Sequence, residues 1–245
     1  MKYRYERKYL VHNSMVEILR NRILPFVKAD PYTQLKNGIP EYTVRSIYFD
    51  TPSLDSLNEK IEGLEKRRKL RVRSYNEEES VDTFFLEIKL KEGNRIGKNR
   101  TKLPIESFEH FCNNPSMALE ISDDKYKSDA NKFLYYLEKE QQSPINLIVY
   151  DREAYIGKFD SGLRITFDKN IQSANMPEIS ELFSNQNLAF VWPSHFILEI
   201  KYFESPMPYW LKLIVQEFEL RHQALSKYTE GYFCHKLNYK SAYSS

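Results

Sequence analysis

The amino-acid sequence predicts an α+β fold in which antiparallel strands form a closed β-barrel with a charged interior and helices packed outside. Two observations lead to this prediction. Lys, Arg and Glu recur at every second position of several strand-like segments, which places them on one face because strand side chains alternate. The apolar residues between them need a cover, and four or five helical segments can provide it. A barrel with its charges inside meets both requirements.

The first hundred residues are predicted to contain one helix and several strands. Alternation predicts a strand over residues 1–11, and Asn13 or Ser14 can cap a helix whose apolar periodicity runs to about Phe26. A loop is expected over residues 31–40. A strand over 42–50 is closed by Thr51, Pro52 and Ser53, and further strands are expected over 67–75, 83–91 and 95–102.

Helices and strands are both predicted in the remainder of the chain. Pro104 opens a helical segment, and a second helix over 126–141 carries Phe133, Leu134 and Leu137 on one side. Strands are expected over 146–156, 163–169 and 195–202, with a long surface connection over 175–193, and helices over 209–222 and 226–238. No linker rich in Gly, Ser or Pro divides these segments, so we expect a single domain over residues 1–245.

Composition excludes several functional classes. The 36 Lys and Arg and the 34 Asp and Glu give a net charge of +2, which argues against a uniformly basic nucleic-acid binder. Cys112 and Cys234 fit neither a disulfide framework nor a zinc site of the familiar spacings, and they indicate reduced thiols of a cytoplasmic protein. No membrane segment and no signal peptide are expected, because no apolar run is long enough.

The strand charges are biased toward cations in one part of the chain. Between Lys60 and Lys102 there are 13 Lys and Arg against 8 Asp and Glu. An ordinary sheet with its polar face in water is one interpretation. Inside a barrel, such cations need carboxylate partners or a charged ligand, and a compact polyanion with several phosphates fits best. Glu6, Glu87 and Glu199 are then candidate ligands of Mg²⁺ or Mn²⁺, because hard cations take oxygen ligands and bridge phosphates.

Eight short motifs, in order along the chain, give the sequence a family resemblance. They are ERKY at residues 6–9, SIYFDT at 46–51, RVR at 71–73, LEIK at 86–89, YDREAY at 150–155, LRIT at 163–166, LEIK at 198–201 and SKY at 226–228. With them the sequence resembles the triphosphate tunnel metalloenzymes of the CYTH-like superfamily. It is most similar to their VTC branch, the polyphosphate-polymerase domain of the vacuolar transporter chaperone complex. The resemblance extends from Tyr3 to about Cys234.

The resemblance implies a tunnel that binds ATP, triphosphate or polyphosphate with Mn²⁺ or Mg²⁺. In the VTC branch the γ-phosphate of ATP is transferred to a growing polyphosphate chain. The catalytic residues implied are Lys227, Arg71, Arg73 and Lys89, and the implied metal ligand is Glu199, with Glu6 and Glu87 as further candidates. Phosphate or nucleotide contacts are implied for Lys8, Lys91, Lys98, Arg100, Tyr150, Arg152, Arg164, Lys201 and Ser226.

Two positions depart from the family pattern. Arg4 replaces the first Glu of the ExExK motif, which removes one candidate metal ligand and fits the polymerase branch better than the hydrolytic branch. Lys91 stands where the polymerase branch tends to have a histidine.

Metal-dependent phosphoryl transfer, with ATP-dependent polyphosphate synthesis as its form, is the leading functional hypothesis. Phosphoryl transfer needs positioning and charge neutralisation rather than a protein nucleophile, which agrees with the absence of a recognisable nucleophile motif. Hydrolysis of tripolyphosphate or a nucleoside triphosphate by the same site is the first alternative, and a noncatalytic polyphosphate- or nucleotide-binding module is the second. RNA binding is least favoured, because most aromatic residues fall on strand faces opposite the cations. The sequence predicts no oligomeric state.

Overall fold

Eleven strands and seven α-helices make up the part of the chain that the structure, a computed structural model, describes: residues 5–36, 38–76, 81–93, 95–160, 162–203 and 206–242. The strands are β1 (Tyr5–His12), β2 (Val27–Ala29), β3 (Gln34–Lys36), β4 (Ile39–Asp50), β5 (Lys66–Tyr75), β6 (Thr83–Glu92), β7 (Arg95–Pro104), β8 (Ser143–Gly157), β9 (Arg164–Asn175), β10 (Ala189–Phe190) and β11 (His195–Tyr202). The helices are α1 (Val16–Ile23), α2 (Asp55–Ile61), α3 (Phe108–Asn113), α4 (Ala118–Ile121), α5 (Asp124–Lys139), α6 (Tyr209–Glu217) and α7 (Lys227–Ala242).

All eleven strands belong to one antiparallel sheet that is strongly curled. Its main path runs β1-β11-β9-β8-β4-β5-β6-β7, and the short strands β2, β3 and β10 pair with β8, β4 and β9. In a flat sheet β1 and β6 would lie about 29 Å apart, six strand spacings of about 4.8 Å. The ammonium of Lys89 on β6 nevertheless lies 3.4 Å from the carboxylate of Glu6 on β1. The two ends of the sheet therefore face each other across an inner face, the face that carries Glu6, Lys8, Arg71, Lys89 and Glu199.

The prediction of a closed barrel is wrong. Among the described residues, no backbone ladder joins β1 to β7 at the ends of the path. The second edge of β1 is used by the segment before α7 instead. Tyr9 forms an isolated antiparallel bridge with His222, and the backbone N–H of Gln223 donates to the carbonyl of Lys8 at 2.9 Å. The antiparallel strands and their alternation are confirmed, but the sheet stays open along this seam.

The apolar residues form three clusters, two on the outer face of the sheet and one on the inner face. The first outer cluster packs strands β4 to β8 against α3 and α5, with Phe111 and Phe133 among its buried residues. The second packs β1, β9 and β11 against α1 and α6 through residues such as Leu19 and Ile214. Burial of these faces stabilises the fold by about 25 cal/mol for each Å² of apolar surface removed from water.

The third cluster corrects the prediction that the helices lie outside. Tyr228 of α7 and Leu57 of α2 pack with Tyr48 and other residues of the inner face. Gly231 permits this approach, because a Cβ there would lie 2.4 Å from the side chain of Ile148 on β8. Helix α7 therefore fills one end of the space inside the curl and leaves the other end to the charged residues.

Most predicted elements are present, with shifted boundaries. The strand over 195–202 has the predicted bounds, whereas β9 is longer than predicted and α6 ends five residues earlier, at Glu217. Helix α2 and strands β2, β3 and β10 were not predicted, and β3 replaces part of the loop expected over 31–40. Arg4 lies outside the described residues. A single domain over 1–245 stays a prediction. No helix in the described ranges is long and apolar enough to cross a membrane.

Candidate functional site

A cavity of about 500 Å³ opens on the inner face, and cations dominate its described lining. Only two carboxylates, Glu6 and Glu199, accompany twelve lysines and arginines among these described lining residues. The cations are Arg7, Lys8, Lys60, Arg67, Lys69, Arg71, Arg73, Lys89, Lys91, Arg152, Lys201 and Lys227. Buried like charges are unfavourable unless nearby groups or a ligand compensate them. The carboxylates that contact the cations fall into three groups.

Glu87 of β6 compensates cations of β5 and β7 from behind the cavity wall. Its fully buried carboxylate accepts hydrogen bonds from Arg71 Nε at 2.7 Å and Lys98 Nζ at 2.9 Å. Arg100 Nε lies 3.2 Å from it and an Arg73 nitrogen 3.9 Å from it. Burial opposes ionisation of this carboxyl, but the four cations outweigh it and hold the pKa of Glu87 well below its usual range. Four cations around one carboxylate leave a local excess of three positive charges.

Glu6 of β1 and Glu199 of β11 are the two carboxylates that face the cavity. The ammonium of Lys8 lies between them, 3.2 Å from Glu6 and 3.7 Å from Glu199. Lys201 donates to Glu199 at 2.9 Å, and Lys89 donates to Glu6 at 3.4 Å. Burial and repulsion from Glu199 oppose ionisation of Glu6, but the lysines outweigh both and lower the pKa of Glu6 to about 2. The pKa of Glu199, buried beside Lys201 and Lys8, also lies well below its usual range.

Asp168 of β9 holds the cations of β8 and α7. Arg152 donates two hydrogen bonds to this carboxylate, at 2.6 and 2.7 Å, and Lys227 donates another at 2.5 Å. Arg152 also reaches Glu199 at 3.4 Å, which connects this group to the previous one. Burial opposes ionisation of Asp168, but Arg152 and Lys227 lower its pKa to about 2. The ring of Tyr150 lies beneath both cations, with Lys227 Nζ 4.6 Å from its centroid.

The first turn of α7 brings Lys227 to this position. Ser226 begins the helix, because its hydroxyl accepts the backbone N–H of Thr229 at 3.3 Å, as a helix cap does. The preceding residues are fixed to β1 by the Gln223 backbone contact and by Lys8 Nζ, which donates to the carbonyl of Leu225 at 3.2 Å. These two contacts with Lys8 therefore hold the start of the helix at the cavity wall.

Tyr48 of β4 lines the cavity, and Asp50 of the same strand anchors the adjacent helices. The hydroxyl of Tyr48 accepts a hydrogen bond from Arg71 at 2.9 Å. Burial alone would raise the pKa of Tyr48, but Arg71 and Arg73 lower it to about 7. Asp50 accepts the hydroxyl of Tyr228 together with three backbone N–H groups at and after the turn that follows β4. One buried carboxylate thus anchors both α2 and the first turn of α7.

Glu6 and Glu199 fit a divalent metal ion, whereas Glu87 does not. Mg²⁺ is usually bound by one or two carboxylates together with phosphate oxygens of the ligand, and two ionised carboxylates that face the cavity supply such a donor set. Glu87 is not part of the described cavity lining, so a ligand in the cavity could not share a metal ion with it. No group of three or more His, Cys, Asp or Glu in the described ranges could hold a metal. A metal here would therefore share its coordination with a ligand.

Twelve of the sixteen residues predicted from the sequence line the cavity. They are Glu6, Lys8, Arg71, Arg73, Lys89, Lys91, Tyr150, Arg152, Glu199, Lys201, Ser226 and Lys227. Glu87, Lys98 and Arg100 form the group behind the wall. Arg164 of β9 is outside the described cavity lining and pairs with Asp30 at 2.9 Å. The binding roles of all sixteen stay predictions.

Sequence reasoning missed Tyr48, Lys69, Asp168 and Tyr228. Alternation could have found two of them, because Lys69 precedes Arg71 by two positions and Asp168 follows Arg164 by four. Tyr48 carries no charge, so the search for charged strand faces passed over it. The position of Tyr228 depends on α7 packing on the inner face, which has no local sequence signal.

Sequence comparison gives a family match over nearly the whole chain. The family model of the VTC domain matches residues 3–236. None of the curated proteins matches the sequence significantly.

Solved structures with similar folds include HpAC1 from Hippeastrum, an adenylyl cyclase candidate described as having a dominant triphosphatase activity. It is 13% identical, the alignment covers 94% of this chain and 95% of that chain, and the TM-score is 0.57. The PH1819 protein from Pyrococcus horikoshii OT3 is 14% identical over 91% of this chain and 95% of that chain, with a TM-score of 0.46. The Mimivirus capping enzyme triphosphatase is 12% identical over 87% and 88%, with a TM-score of 0.35. Of these three, the Hippeastrum protein supports the fold.

Proposed function

The chain belongs to the VTC domain family, and on that premise we propose that it catalyses metal-dependent phosphoryl transfer on triphosphate and polyphosphate, with ATP-dependent polyphosphate synthesis as its activity. The observation that carries the proposal is the charge imbalance of the cavity. Twelve cations and two carboxylates line it, and the carboxylates behind the wall are too few to balance the excess. A chain of linked phosphates supplies repeated negative charges at the spacing of one phosphate unit, so one ligand can compensate many of these cations.

The reaction asks these residues to hold two polyanions in line. The terminal oxygen of the polyphosphate forms a bond to the γ-phosphorus of ATP while the bond from that phosphorus to the β,γ-bridging oxygen breaks, and ADP leaves. The attacking phosphate oxygen is already ionised at neutral pH, so no protein base has to remove a proton. Arg71, Arg73, Lys89 and Lys227 come from three different elements and would neutralise charge on the transferred group, which is the main catalytic requirement.

Mn²⁺ or Mg²⁺ is part of the proposal, with Glu199 and Glu6 as its protein ligands. These two carboxylates would hold the ion next to the phosphates, where its charge would neutralise negative charge that develops during transfer. In the protein alone, Lys8 lies between these two carboxylates and compensates them. Lys8, Lys201 and Arg152 then remain to orient the phosphates next to the metal site.

Hydrolysis of triphosphate is a second candidate, favoured by the shared fold with the Hippeastrum protein that is described as a triphosphatase. Water as acceptor must lose a proton, which a general base assists. Glu6 and Glu199 are poorly suited to this task, because the neighbouring lysines hold the pKa of both carboxyls far below neutrality. As far as the two cavity carboxylates are concerned, transfer to phosphate is therefore favoured over transfer to water.

Incubation of the purified protein with ATP and Mn²⁺, followed by separate assays of polyphosphate and orthophosphate, tests the proposal. Long-chain polyphosphate is the expected product. Orthophosphate without polymer would assign hydrolysis, and tight tripolyphosphate binding without turnover in Mn²⁺ or Mg²⁺ would assign a binding module. Failure to bind tripolyphosphate at all would overturn the proposal. Lys227→Met should abolish product formation, whereas Lys212→Met, an exposed lysine on α6, should leave it unchanged.

A further inference from the structure

Lys69 on β5 is a lysine of the cavity whose ammonium has no acceptor among the described residues. It lies on the inner face between Arg67 and Arg71, and the strand register places it opposite Lys89 of β6. Its Nζ atom is buried and makes no hydrogen bond within the part of the chain that the structure describes. In contrast, the ammonium groups of Lys8, Lys89, Lys201 and Lys227 each contact a carboxylate.

The groups that face Lys69 do not supply the missing acceptor. From α7, the ring of Tyr228 lies 4.3 Å from Nζ. From β4, Tyr48 and Asp50 act on it electrostatically, and so do Lys89 of β6 and Arg67 of its own strand. Asp50 is already engaged by four donors, and the Tyr48 hydroxyl accepts from an arginine.

Burial disfavours the charged form of this lysine and lowers the pKa of Lys69 to about 7. Lys89 and Arg67 lower this pKa further, whereas Tyr48 and Asp50 oppose the shift. Close to neutral pH the amine thus loses its proton far more readily than an ordinary lysine. If the role of Lys69 were purely structural, only the apolar part of its side chain beside Tyr228 would matter. A methionine, whose side chain has a similar length, could then replace it. A polyanion in the cavity would change the balance, because its oxygens would offer the acceptor and the opposite charge that the protein lacks.

We propose that Lys69 is a further phosphate-binding residue of the cavity: phosphate oxygens that enter the cavity supply the acceptor that its buried amine lacks, and the amine takes a proton from solvent as they bind. The inference rests on the proposed phosphate ligand and adds a further binding residue and a linked proton to it. Tripolyphosphate binding is then accompanied by proton uptake at this side chain, and affinity falls as pH rises above neutrality.

Isothermal titration with tripolyphosphate, without metal, at pH 8 in two buffers of different ionisation enthalpy measures both affinity and proton uptake. Lys69→Met is expected to bind about tenfold more weakly than the wild-type protein and to take up fewer protons, by a difference approaching one. Lys69→Arg should keep most of the affinity with the same deficit in uptake, because an arginine is charged before binding. Lys66→Met is the matched control, since Lys66 lies on the same strand with an exposed side chain, and it should behave as the wild-type protein.

Thermal melting of the free variants separates binding from packing. Lys69→Met should melt at the same temperature as the wild-type protein or higher, because it removes a buried amine without a partner; if this variant does not fold, the Lys69→Arg titration decides. Wild-type affinity and wild-type proton uptake in both variants would overturn the inference and leave the proposed function intact. Absence of tripolyphosphate binding by the wild-type protein would overturn both.

Discussion

Two buried charge clusters lie on opposite faces of the same sheet, and they differ in charge balance. On the outer face, Glu153 of β8 accepts two hydrogen bonds from Arg20 of α1, at 2.7 and 2.8 Å, and one from Lys169 of β9 at 2.6 Å. Lys169 also pairs with Glu41 at 2.6 Å. Two carboxylates and two cations compensate each other there. On the inner face, twelve described cations line the cavity and four described carboxylates contact them, including Glu87 and Asp168 behind the wall.

The difference separates charges that hold the fold together from charges that we propose bind a ligand. The outer cluster is complete within the protein and connects α1 to the sheet. The inner cluster is incomplete, because its cations far outnumber the carboxylates that contact them. Arg152 and Glu153 are consecutive residues of β8, yet they belong to different clusters because neighbouring strand residues face opposite sides. We therefore expect substitutions in the outer cluster to change stability and substitutions in the inner cluster to change binding.

Glu153→Gln should have the largest effect on stability. It leaves Arg20 and Lys169 without their buried carboxylate, and loss of one partner of a buried ion pair costs about 3–5 kcal/mol. We expect about 3 kcal/mol, the low end, because Arg20 and Lys169 keep some contact with water. Urea unfolding measures the change, and tripolyphosphate affinity of the folded protein should stay the same.

Arg22→Gln is the matched control, because Arg22 lies on α1, the helix that carries Arg20. Arg22 pairs with Glu217 at 3.0 Å on the surface, and exposed pairs contribute about 0–1 kcal/mol. Equal destabilisation by the two substitutions would mean that the buried outer cluster contributes no more to stability than the surface pair of Arg22 and Glu217. A large loss of ligand affinity in Glu153→Gln would show that the two faces are not independent.

Arg71→Met should have the opposite profile. Glu87 keeps Arg73, Lys98 and Arg100 as neighbours, so the free energy of unfolding should change by less than about 1 kcal/mol. Tripolyphosphate affinity should fall at least tenfold, about 1.4 kcal/mol. Titration calorimetry measures the affinity, and urea unfolding of the same preparation measures the stability.

Arg68→Met is the control from the other face of β5. Arg68 pairs with Glu140 and lies 3.6 Å above the ring of Tyr136, away from the cavity wall. It should retain tripolyphosphate affinity. If Arg68→Met lost as much affinity as Arg71→Met, the effect would reflect net charge and not the position of Arg71.

The sequence predicts the inner cluster better than the shape of the sheet. Alternation along β5 and β6 places Arg71, Arg73 and Lys89 on one face, and this local rule needs no knowledge of the fold. Closure depends on what pairs with the second edge of β1, and the answer lies in His222 and Gln223, more than 200 residues away. No local pattern marks that pairing.

Sequence reasoning also failed to separate carboxylates by role. Glu6, Glu87 and Glu199 all alternate with cations, so all three were candidate metal ligands. Only the structure shows that Arg71 and Lys98 occupy the oxygens of Glu87 while the other two face the cavity. Asp168 compensates the charges of Arg152 and Lys227, as Glu87 compensates that of Arg71. Sequence reasoning missed Asp168 because the spacing of residues along one strand does not identify partners on another strand or helix.

The smallest expected effect is a pH dependence confined to the inner cluster. Lys69 has its pKa lowered by burial to about 7, and the pKa of Tyr48, which burial alone would raise, is lowered to about 7 by Arg71 and Arg73. Their ordinary values are 10.5 and 10.0, so above pH 7 the unfolded chain binds more protons than the folded protein at both sites. Stability therefore rises with pH in this window.

Between pH 7 and 7.5 we expect the free protein to gain about 1 kcal/mol, seen as a rise of about 2–4 °C in its melting temperature. The window ends below pH 9.0, the ordinary pKa of the thiol of Cys112; burial raises that pKa to about 11, which would oppose the trend at higher pH. Lys69→Met should flatten the rise in part, because Tyr48 continues to titrate. Glu153 and Lys169 do not contribute to this pH dependence. Despite burial, their attraction lowers the pKa of Glu153 and raises that of Lys169, so both stay charged throughout this pH window. A melting temperature that falls from pH 7 to 8.5, or a rise that Lys69→Met leaves untouched, would contradict the assignment of an excess positive charge to the inner face alone.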